Sequence, residues 1–325
     1  MSNNMSIFLP FIVAGIMNAS FVIPIKFIQI QKERIWLYHA VIGLGIIPWL
    51  FLFIPAIGDI RYFFSMPPEE MVFLIGSGVI FGIGQVCFAY AIDYIGISLS
   101  FAINLGLAVA IGSLFVVFYQ HLLLVYQGYV ILLAIALILA ALVSFYYSDR
   151  EDTQTLIDTF KDKWRYQTGW ILVMFAGFAS GLQNIAFNVA INNSSIYLED
   201  NSFYWVWPPF LLAAAIVMII GFKIRLNSVE RNPEMVVHWR DWLWILVMGC
   251  CFTGSLALYS FGFEQLNETK QVIGWPTMMI SIILMSQIWG FIFGEIPIER
   301  FRNIAFRMIS IALLLVAIVV LAVIE

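Results

Sequence analysis

The sequence carries little charge. Asp, Glu, Lys and Arg together make up 11% of its 325 residues, whereas hydrophobic types make up 62%. Soluble globular domains are about one quarter charged and just under half apolar, so the composition excludes an ordinary soluble domain. The net charge is only −4, and the absence of a basic block gives no sign of a nucleic-acid partner. We therefore predict an integral membrane protein whose surroundings are the lipid bilayer.

The sequence also lacks the motifs of common enzymes and cofactor sites. The three cysteines, Cys87, Cys250 and Cys251, lie inside apolar runs and have neither a metal-ligand spacing nor the arrangement of a disulfide framework. We find no Walker loop, no nucleophile elbow and no dinucleotide fingerprint between a strand and a helix. We therefore expect no cofactor, no metal ion and no enzymatic activity.

Long apolar runs dominate what is present. A membrane-spanning helix needs about 20 mostly apolar residues. The N-terminal "MSNNMSIFLP" lacks the positive region of a cleaved signal, so the first run is predicted to be a retained helix. By this measure we predict an all-α membrane protein with ten transmembrane helices, at residues 6–26, 36–56, 71–91, 96–118, 127–147, 168–190, 203–223, 241–262, 270–292 and 302–324.

The basic residues predict the orientation. With the ten helices alternating, fourteen of the sixteen Lys and Arg residues fall on the face opposite the N-terminus, which we call face B. The exceptions on face A are Arg61 and Lys270. Because Lys and Arg concentrate in cytoplasmic loops, face B is predicted to be cytoplasmic. Both termini are then extracytoplasmic, in the inner membrane of the cell.

The chain also shows signs of internal repetition. At an offset of 170, Gly84 falls on Gly254, and "VAGIMNASFVIPIK" (13–26) resembles "FAGFASGLQNIAFN" (175–188) in its Ala-Gly start. Two successive sets of five helices must have opposite orientations, because five is odd. We predict two inverted five-helix repeats, residues 1–147 and 168–325, joined by a cytoplasmic linker at 148–167. Transporters of this plan bind their solute near the midplane, between the repeats.

The polar groups predicted to lie deep in the membrane are neutral. They are Asn18, Gln85, Tyr90, Asn104, Gln183, Asn184, Asn188, Tyr259 and Gln287. Amides can donate to and accept from hydroxyl groups, and aromatic rings cover apolar C–H surfaces. A cavity with such walls suits a neutral sugar, whereas a charged solute would need a buried counter-charge. We predict that the substrate is bound by Gln85, Asn104, Asn184, Asn188, Trp207 and Trp275.

Each of these side chains has a plainer explanation. A lone amide can join two helices, and Trp207 lies near a helix start, where an interfacial aromatic belt is common. His39 could carry a proton or serve as a hydrogen-bonded interface residue. Glu264 could accept a proton or form a solvated ion pair near Lys270. We retain His39 and Glu264 as candidates for proton coupling.

Four stretches from both halves of the chain resemble the L-rhamnose–proton symporter family, within the drug/metabolite transporter superfamily. They are "FVIPIKFIQIQKERIWLYHAVIGLGIIPW" (21–49), "FGIGQVCFAYAIDYIGISLSFAINLGLAVAIGSL" (81–114), "WVWPPFLLAAAIVMIIGFKIRL" (205–226) and "GWPTMMISIILMSQIWGFIFGE" (274–295). Gly82, Gly84 and Gln85 match the family's Gly-x-Gly-amide arrangement, with Gln85 where Asn is expected. The resemblance implies ten helices in two inverted fives and the import of a deoxy-sugar together with a proton.

The sequence thus predicts a secondary transporter that imports a small neutral sugar by alternating access, with a proton as the coupling ion. Two alternatives are open. A facilitator or exporter of metabolites, drugs or amino acids could have the same fold, and a membrane receptor could bind the solute without moving it.

Overall fold

The computed structural model describes residues 2–50, 66–119, 121–122, 125–156, 160–192, 202–228, 237–266, 268–294 and 301–321. All regular secondary structure in these ranges is helical. The helices are α1 (Ser2–Ser20), α2 (Lys32–His39), α3 (Ile47–Leu50), α4 (Pro68–Ile95), α5 (Ile97–Tyr119), α6 (Tyr126–Leu156), α7 (Phe160–Asn192), α8 (Trp207–Ser228), α9 (Trp239–Glu264), α10 (Glu268–Ile292) and α11 (Phe301–Leu321). Short 3-10 helices at Ile23–Lys26 and Ser202–Val206 follow α1 and precede α8, and a π-helical turn, Ala40–Ile46, connects α2 to α3.

The prediction of an all-helical membrane protein is confirmed. Nine helices in the described ranges are long and apolar enough to cross a membrane, and they coincide with nine of the ten predicted segments. The remaining segment, 36–56, begins with α2, the π-helical turn and α3, and then continues past Leu50 into residues that the structure does not describe.

The polar stretch between the two predicted repeats is more helical than expected. Helix α6 continues to Leu156 and α7 begins at Phe160, so both helices extend into the predicted linker at 148–167.

A single residue separates α4 from α5. Gly96 has a φ of 83°, a left-handed conformation that L side chains rarely adopt, and it caps α4 by donating its N–H to the carbonyl of Ile92. Glycine reaches this conformation without a Cβ clash and commonly ends helices. The chain can therefore reverse its direction within one residue.

The helices pack in a regular pattern. Helix α4 packs against α7 and α8, while α9 packs against α1 and the π-helical turn. Helix α7 also packs against α5, and α1 packs against α10. Three further contacts join α6 to α11, α5 to α10, and the π-helical turn to α8. The core is therefore built almost entirely from contacts between the first and second halves of the chain.

Small residues make the closest of these contacts. A Cβ at Gly78 would overlap the backbone oxygen of Phe210, and a Cβ at Gly82 would lie 2.7 Å from the backbone oxygen of Ala214. These two glycines let the backbones of α4 and α8 approach directly, as small residues commonly do between membrane helices.

Helix ends that the predicted alternation places at the same face contact each other in the structure. Phe27, which follows the 3-10 helix Ile23–Lys26, stacks on Trp244 near the start of α9 at 5.0 Å between ring centroids, and it meets Phe293 after the end of α10 at 6.2 Å. At the same end, Lys32 at the start of α2 forms an ion pair with Asp93 near the end of α4. This end is face B, and all of these ends were assigned to it by the alternation of the predicted helices.

We predict opposite effects for two glycines that lie half a turn apart on α4. Gly78→Ala should lower the free energy of unfolding by about 1–3 kcal/mol, because its Cβ has to displace the backbone of α8. Gly76 has nothing within 4 Å of its Cβ position, so Gly76→Ala should raise stability by about 0.5–1 kcal/mol through helix propensity. Thermal unfolding in detergent measures both, and equal effects would contradict the close contact.

Candidate functional site

A small cavity lies at the centre of the bundle, with a volume of about 30 Å³. Its walls come from α1, α4, α5, α7, α9 and α10, three helices from each half of the chain. Every lining side chain is less than one tenth exposed. One position for a water molecule needs about 10–15 Å³ of such space, so the cavity is large enough for a few waters.

Neutral polar groups occupy one part of the wall. They are Asn18, Gln85, Asn104, Ser180 and Gln183. The Ser180 hydroxyl donates to Oδ1 of Asn104 at 3.1 Å, and the Asn18 amide donates to Oγ of Ser255 at 2.8 Å. These bonds hold the two asparagines against the wall.

The Gln183 amide differs from its neighbours. Its residue is 6% exposed, and its Nε2 has no hydrogen-bond partner in the described part of the chain. An unsatisfied buried amide costs about 1–3 kcal/mol, so native proteins rarely retain one without a reason. An amide donor in the wall of a cavity is positioned to bind a hydroxyl or carbonyl oxygen of a solute.

The second half of the chain supplies an apolar wall from α9 and α10. Its residues are Phe252, Leu256, Trp275, Met278 and Met279. The two Met side chains are flexible and polarizable, so this wall can adapt to the outline of a small molecule. The Trp275 indole N–H points at the carbonyl of Ala108 over 3.4 Å, a long hydrogen bond. The cavity therefore has an amide side and an apolar side.

The six predicted binding residues divide into two groups. Gln85, Asn104 and Trp275 line the cavity. Asn184 and Asn188 do not line it. They bond each other: the Asn188 amide donates to Oδ1 of Asn184 at 3.1 Å and to its backbone oxygen at 2.8 Å. Asn184 also accepts from the Tyr259 hydroxyl at 3.4 Å.

Trp207 likewise has protein partners rather than a place in the cavity wall. Its indole N–H donates to Oγ of Ser260 at 2.8 Å, and its ring stacks on Phe187 at 4.9 Å. Trp207 is 1% exposed, so it is not a belt residue at the membrane interface. With Tyr259 and Phe263 it forms an aromatic layer between the cavity and face A.

A second aromatic layer closes the cavity towards face B. Phe21 meets Phe101 at 6.2 Å and Phe252 at 5.1 Å, while Phe88 meets Phe101 at 5.0 Å. All four rings also line the cavity. A solute could therefore leave towards face B only if this layer moved.

The two proton-coupling candidates lie in different settings. His39 is 1% exposed at the end of α2 and stacks on Phe21 at 5.4 Å. Glu264 is the last residue of α9, half-buried near Tyr204 at face A. Neither lines the cavity, but Phe21 does.

Asn18, Ser180 and Gln183 line the cavity although they were not among the predicted binding residues. The sequence contains a signal that could have identified two of them. Aligning the two Ala-Gly starts, Gly15 with Gly177, places Asn18 on Ser180. Asn184, the neighbour of Gln183, instead bonds Asn188 on its own helix and Tyr259 on α9.

The chain is similar along nearly its whole length to proteins named L-rhamnose-proton symporter. It is 23% identical to such a protein from Yersinia pestis bv. Antiqua (strain Antiqua) over 322 residues, which cover 92% of each chain. The same identity and coverage, over 323 residues, relate it to proteins of that name from Yersinia pestis (strain Pestoides F) and Yersinia pseudotuberculosis serotype O:1b (strain IP 31758). No family model matches the chain. The resemblance to this family that the sequence indicated is thereby confirmed.

Adjacent amides on α7 provide a test of the site. Gln183→Met should leave the free energy of unfolding unchanged or slightly higher, because it removes a donor without a protein partner. Asn184→Leu should lower it by about 1–3 kcal/mol, because Asn188 and Tyr259 lose their acceptor. Thermal unfolding in detergent distinguishes the two, and a large loss of stability in Gln183→Met would show that this amide has a structural partner.

Proposed function

We propose that the protein is a secondary transporter that imports a small neutral sugar, of the L-rhamnose type, together with a proton. The observation that carries the proposal is the central cavity. Its neutral amides and aromatic rings surround the Gln183 amide, whose Nε2 has no partner among the residues that the structure describes. The names of the similar proteins support the same substrate and coupling ion.

The absence of charge in the wall favours a neutral solute. No lining residue in the described part of the chain is Asp, Glu, Lys or Arg. A charged solute inside the membrane would lose its hydration without gaining a partner, which is costly. Hydroxyl groups, in contrast, can replace their waters with the amides of Gln85, Asn104 and Gln183.

The two-sided wall favours a sugar over a fully polar molecule. The ring faces and C–H edges of a sugar are apolar, and aromatic side chains cover such surfaces well. The amide side of the cavity would receive the hydroxyls, and the side formed by Phe252, Trp275 and the two methionines would receive the apolar edge.

The size of the cavity supports a mechanism with a conformational change. At about 30 Å³ it is far smaller than an ordinary ligand pocket of about 300–1,000 Å³. The aromatic layers towards faces A and B must therefore move in turn for a sugar to enter and leave. This is the behaviour expected of alternating access.

The packing pattern supports an inverted repeat. If α1, the α2–α3 segment, α4, α5 and α6 correspond to α7, α8, α9, α10 and α11, exchanging the halves converts the α4–α7 contact into the α9–α1 contact. It also converts α5–α7 into α10–α1, and α4–α8 into α9 against the π-helical turn. Contacts α6–α11 and α5–α10 convert into themselves. On this basis we propose ten helices in two repeats, 1–147 and 168–325.

We propose that face B is cytoplasmic and that both termini lie outside the cell. Introduced cysteines can test this in a background with Cys87, Cys250 and Cys251 replaced by alanine. His121→Cys, exposed at face A, should react with a membrane-impermeant maleimide in intact cells, whereas Lys163→Cys, exposed at face B, should react only after the membrane is broken. The reverse pattern would invert the topology.

Transport is tested in proteoliposomes containing the purified protein. Counterflow of labelled L-rhamnose against a sugar and polyol panel reveals whether the protein moves the solute and which solutes compete. Uptake driven by an imposed pH gradient, acidic outside, reveals whether protons are coupled. Counterflow without gradient-driven accumulation would identify a facilitator, and binding without counterflow would identify a receptor.

The site prediction can be tested in the same vesicles. Gln183→Met should reduce L-rhamnose counterflow at least tenfold, because losing one hydrogen bond to a buried amide costs about 1.5 kcal/mol. Gln265→Met, which changes an exposed amide after the end of α9, provides the matched control and should retain wild-type counterflow. Equal counterflow in the two variants would remove Gln183 from the binding site.

A further inference from the structure

His39 lies in a cage of aromatic rings. Its ring centroid is 5.4 Å from that of Phe21, 5.9 Å from that of Trp36 and 5.8 Å from that of Phe252. The Phe21 ring is stacked on the imidazole, and the other two meet it edge to face. The histidine is 1% exposed and is thus sealed within the bundle.

One imidazole nitrogen has no partner. Nδ1 of His39 is buried without a hydrogen bond in the described part of the chain. It lies beside Gly43, where an added Cβ would be only 2.9 Å from it. A buried nitrogen without a partner is costly in a purely structural histidine. The lone imidazole therefore requires an explanation beyond packing.

The backbone beside this histidine is also unusual. His39 ends α2, and the next residue begins the π-helical turn Ala40–Ile46. Such turns are rare and occur frequently at functional sites. The turn packs closely on α9, since the Thr253 hydroxyl donates to the carbonyl of Gly43 at 2.6 Å. A rearrangement of this turn would move His39 relative to α9.

Two rings connect His39 to the cavity. Phe21 and Phe252 line the cavity on one side and contact the imidazole on the other. A solute that enters the cavity has to displace these rings, because the volume there is too small for a sugar. The histidine cage and the solute therefore share two of their walls.

We infer that His39 is the proton-binding site of the transport cycle and that Phe21 and Phe252 couple its protonation to the solute. The inference rests on the proposed function. In the step, the imidazole nitrogen accepts a proton from hydronium on the extracytoplasmic side, so that one N–H bond forms as one O–H bond breaks. The reverse transfer returns the proton to water on the cytoplasmic side. Displacement of the two rings by the solute opens the cage to that water.

Burial disfavours the charged form of His39, and the surrounding rings offset part of that cost. Aromatic faces within about 6 Å attract a cation, more strongly when water is excluded. The ionisable groups on the elements around His39 provide no carboxylate contact among the described residues. Lys26 lies over the Phe293 ring. The others are Lys32, Glu33, Arg34 and Tyr38 on α2, the exposed Lys223 and Arg225 on α8, and Arg240, Asp241, Cys250, Cys251, Tyr259 and Glu264 on α9. Protonation therefore depends on the rings and on admitted water.

The first test compares two kinds of transport in proteoliposomes. Counterflow needs no net proton movement, so it measures the amount of working carrier. At one proton per solute, a gradient of one pH unit supports about a tenfold accumulation. In His39→Gln, the accumulation of L-rhamnose per unit of counterflow should fall about tenfold. His121→Asn is the control, because this exposed histidine has a φ of 53° that asparagine tolerates.

The outcomes distinguish the inference from the proposed function. If the wild type shows no counterflow with any sugar, the proposed function fails. If the wild type couples protons and His39→Gln accumulates solute as the wild type does, the inference fails while the function stands.

A second measurement leaves His39 in place, in case its replacement prevents folding. The double variant His121→Asn and His238→Asn retains His39 as its only histidine, and asparagine can still cap α9 at position 238. The ¹⁵N signals of its imidazole should change from the neutral to the protonated pattern on addition of L-rhamnose at pH 6. An imidazole that stays neutral with and without solute between pH 5 and 8 would overturn the inference.

Discussion

The structure depends on one constraint: inside a membrane, each polar group needs a partner. Most deep amides and hydroxyls in the described chain meet this requirement within the protein. Asn188 bonds Asn184, Trp207 bonds Ser260, and Thr253 bonds the backbone of Gly43. The Gln183 amide and the His39 imidazole are among the buried groups with an atom that has no hydrogen-bond partner in the described residues, and both lie at or beside the cavity.

The two exceptions belong to the same region. Gln183 is in the wall of the cavity, and His39 lies one aromatic layer behind that wall. The rings of this layer that contact His39 are Phe21 and Phe252, one from each half of the chain. In a symporter, binding of the solute must change the affinity for the proton, and the reverse. Some part of the protein must therefore respond to both ligands. Shared rings provide such a contact without a direct bond between solute and histidine.

Much of the fold could be predicted from the sequence, because membrane helices follow from apolar length alone. Nine of the ten segments were located in this way. Individual side chains were harder to place, because a helix face is defined by its neighbours. Asn184 and Gln183 are adjacent on α7, yet one bonds α9 and the other lines the cavity. The left-handed Gly96 and the π-helical turn also carry no signal in hydrophobic length.

Gly96 has a consequence for how the bundle can move. Helices α4 and α5, which carry Gln85 and Asn104, are joined by this one residue, so they cannot slide past each other. A change in the angle between the two helices has to come from the backbone dihedral angles of Gly96 or from bending of the helices themselves. The spacing of the two amides therefore depends on the conformation of one glycine, and a change there would alter the cavity wall from two helices at once.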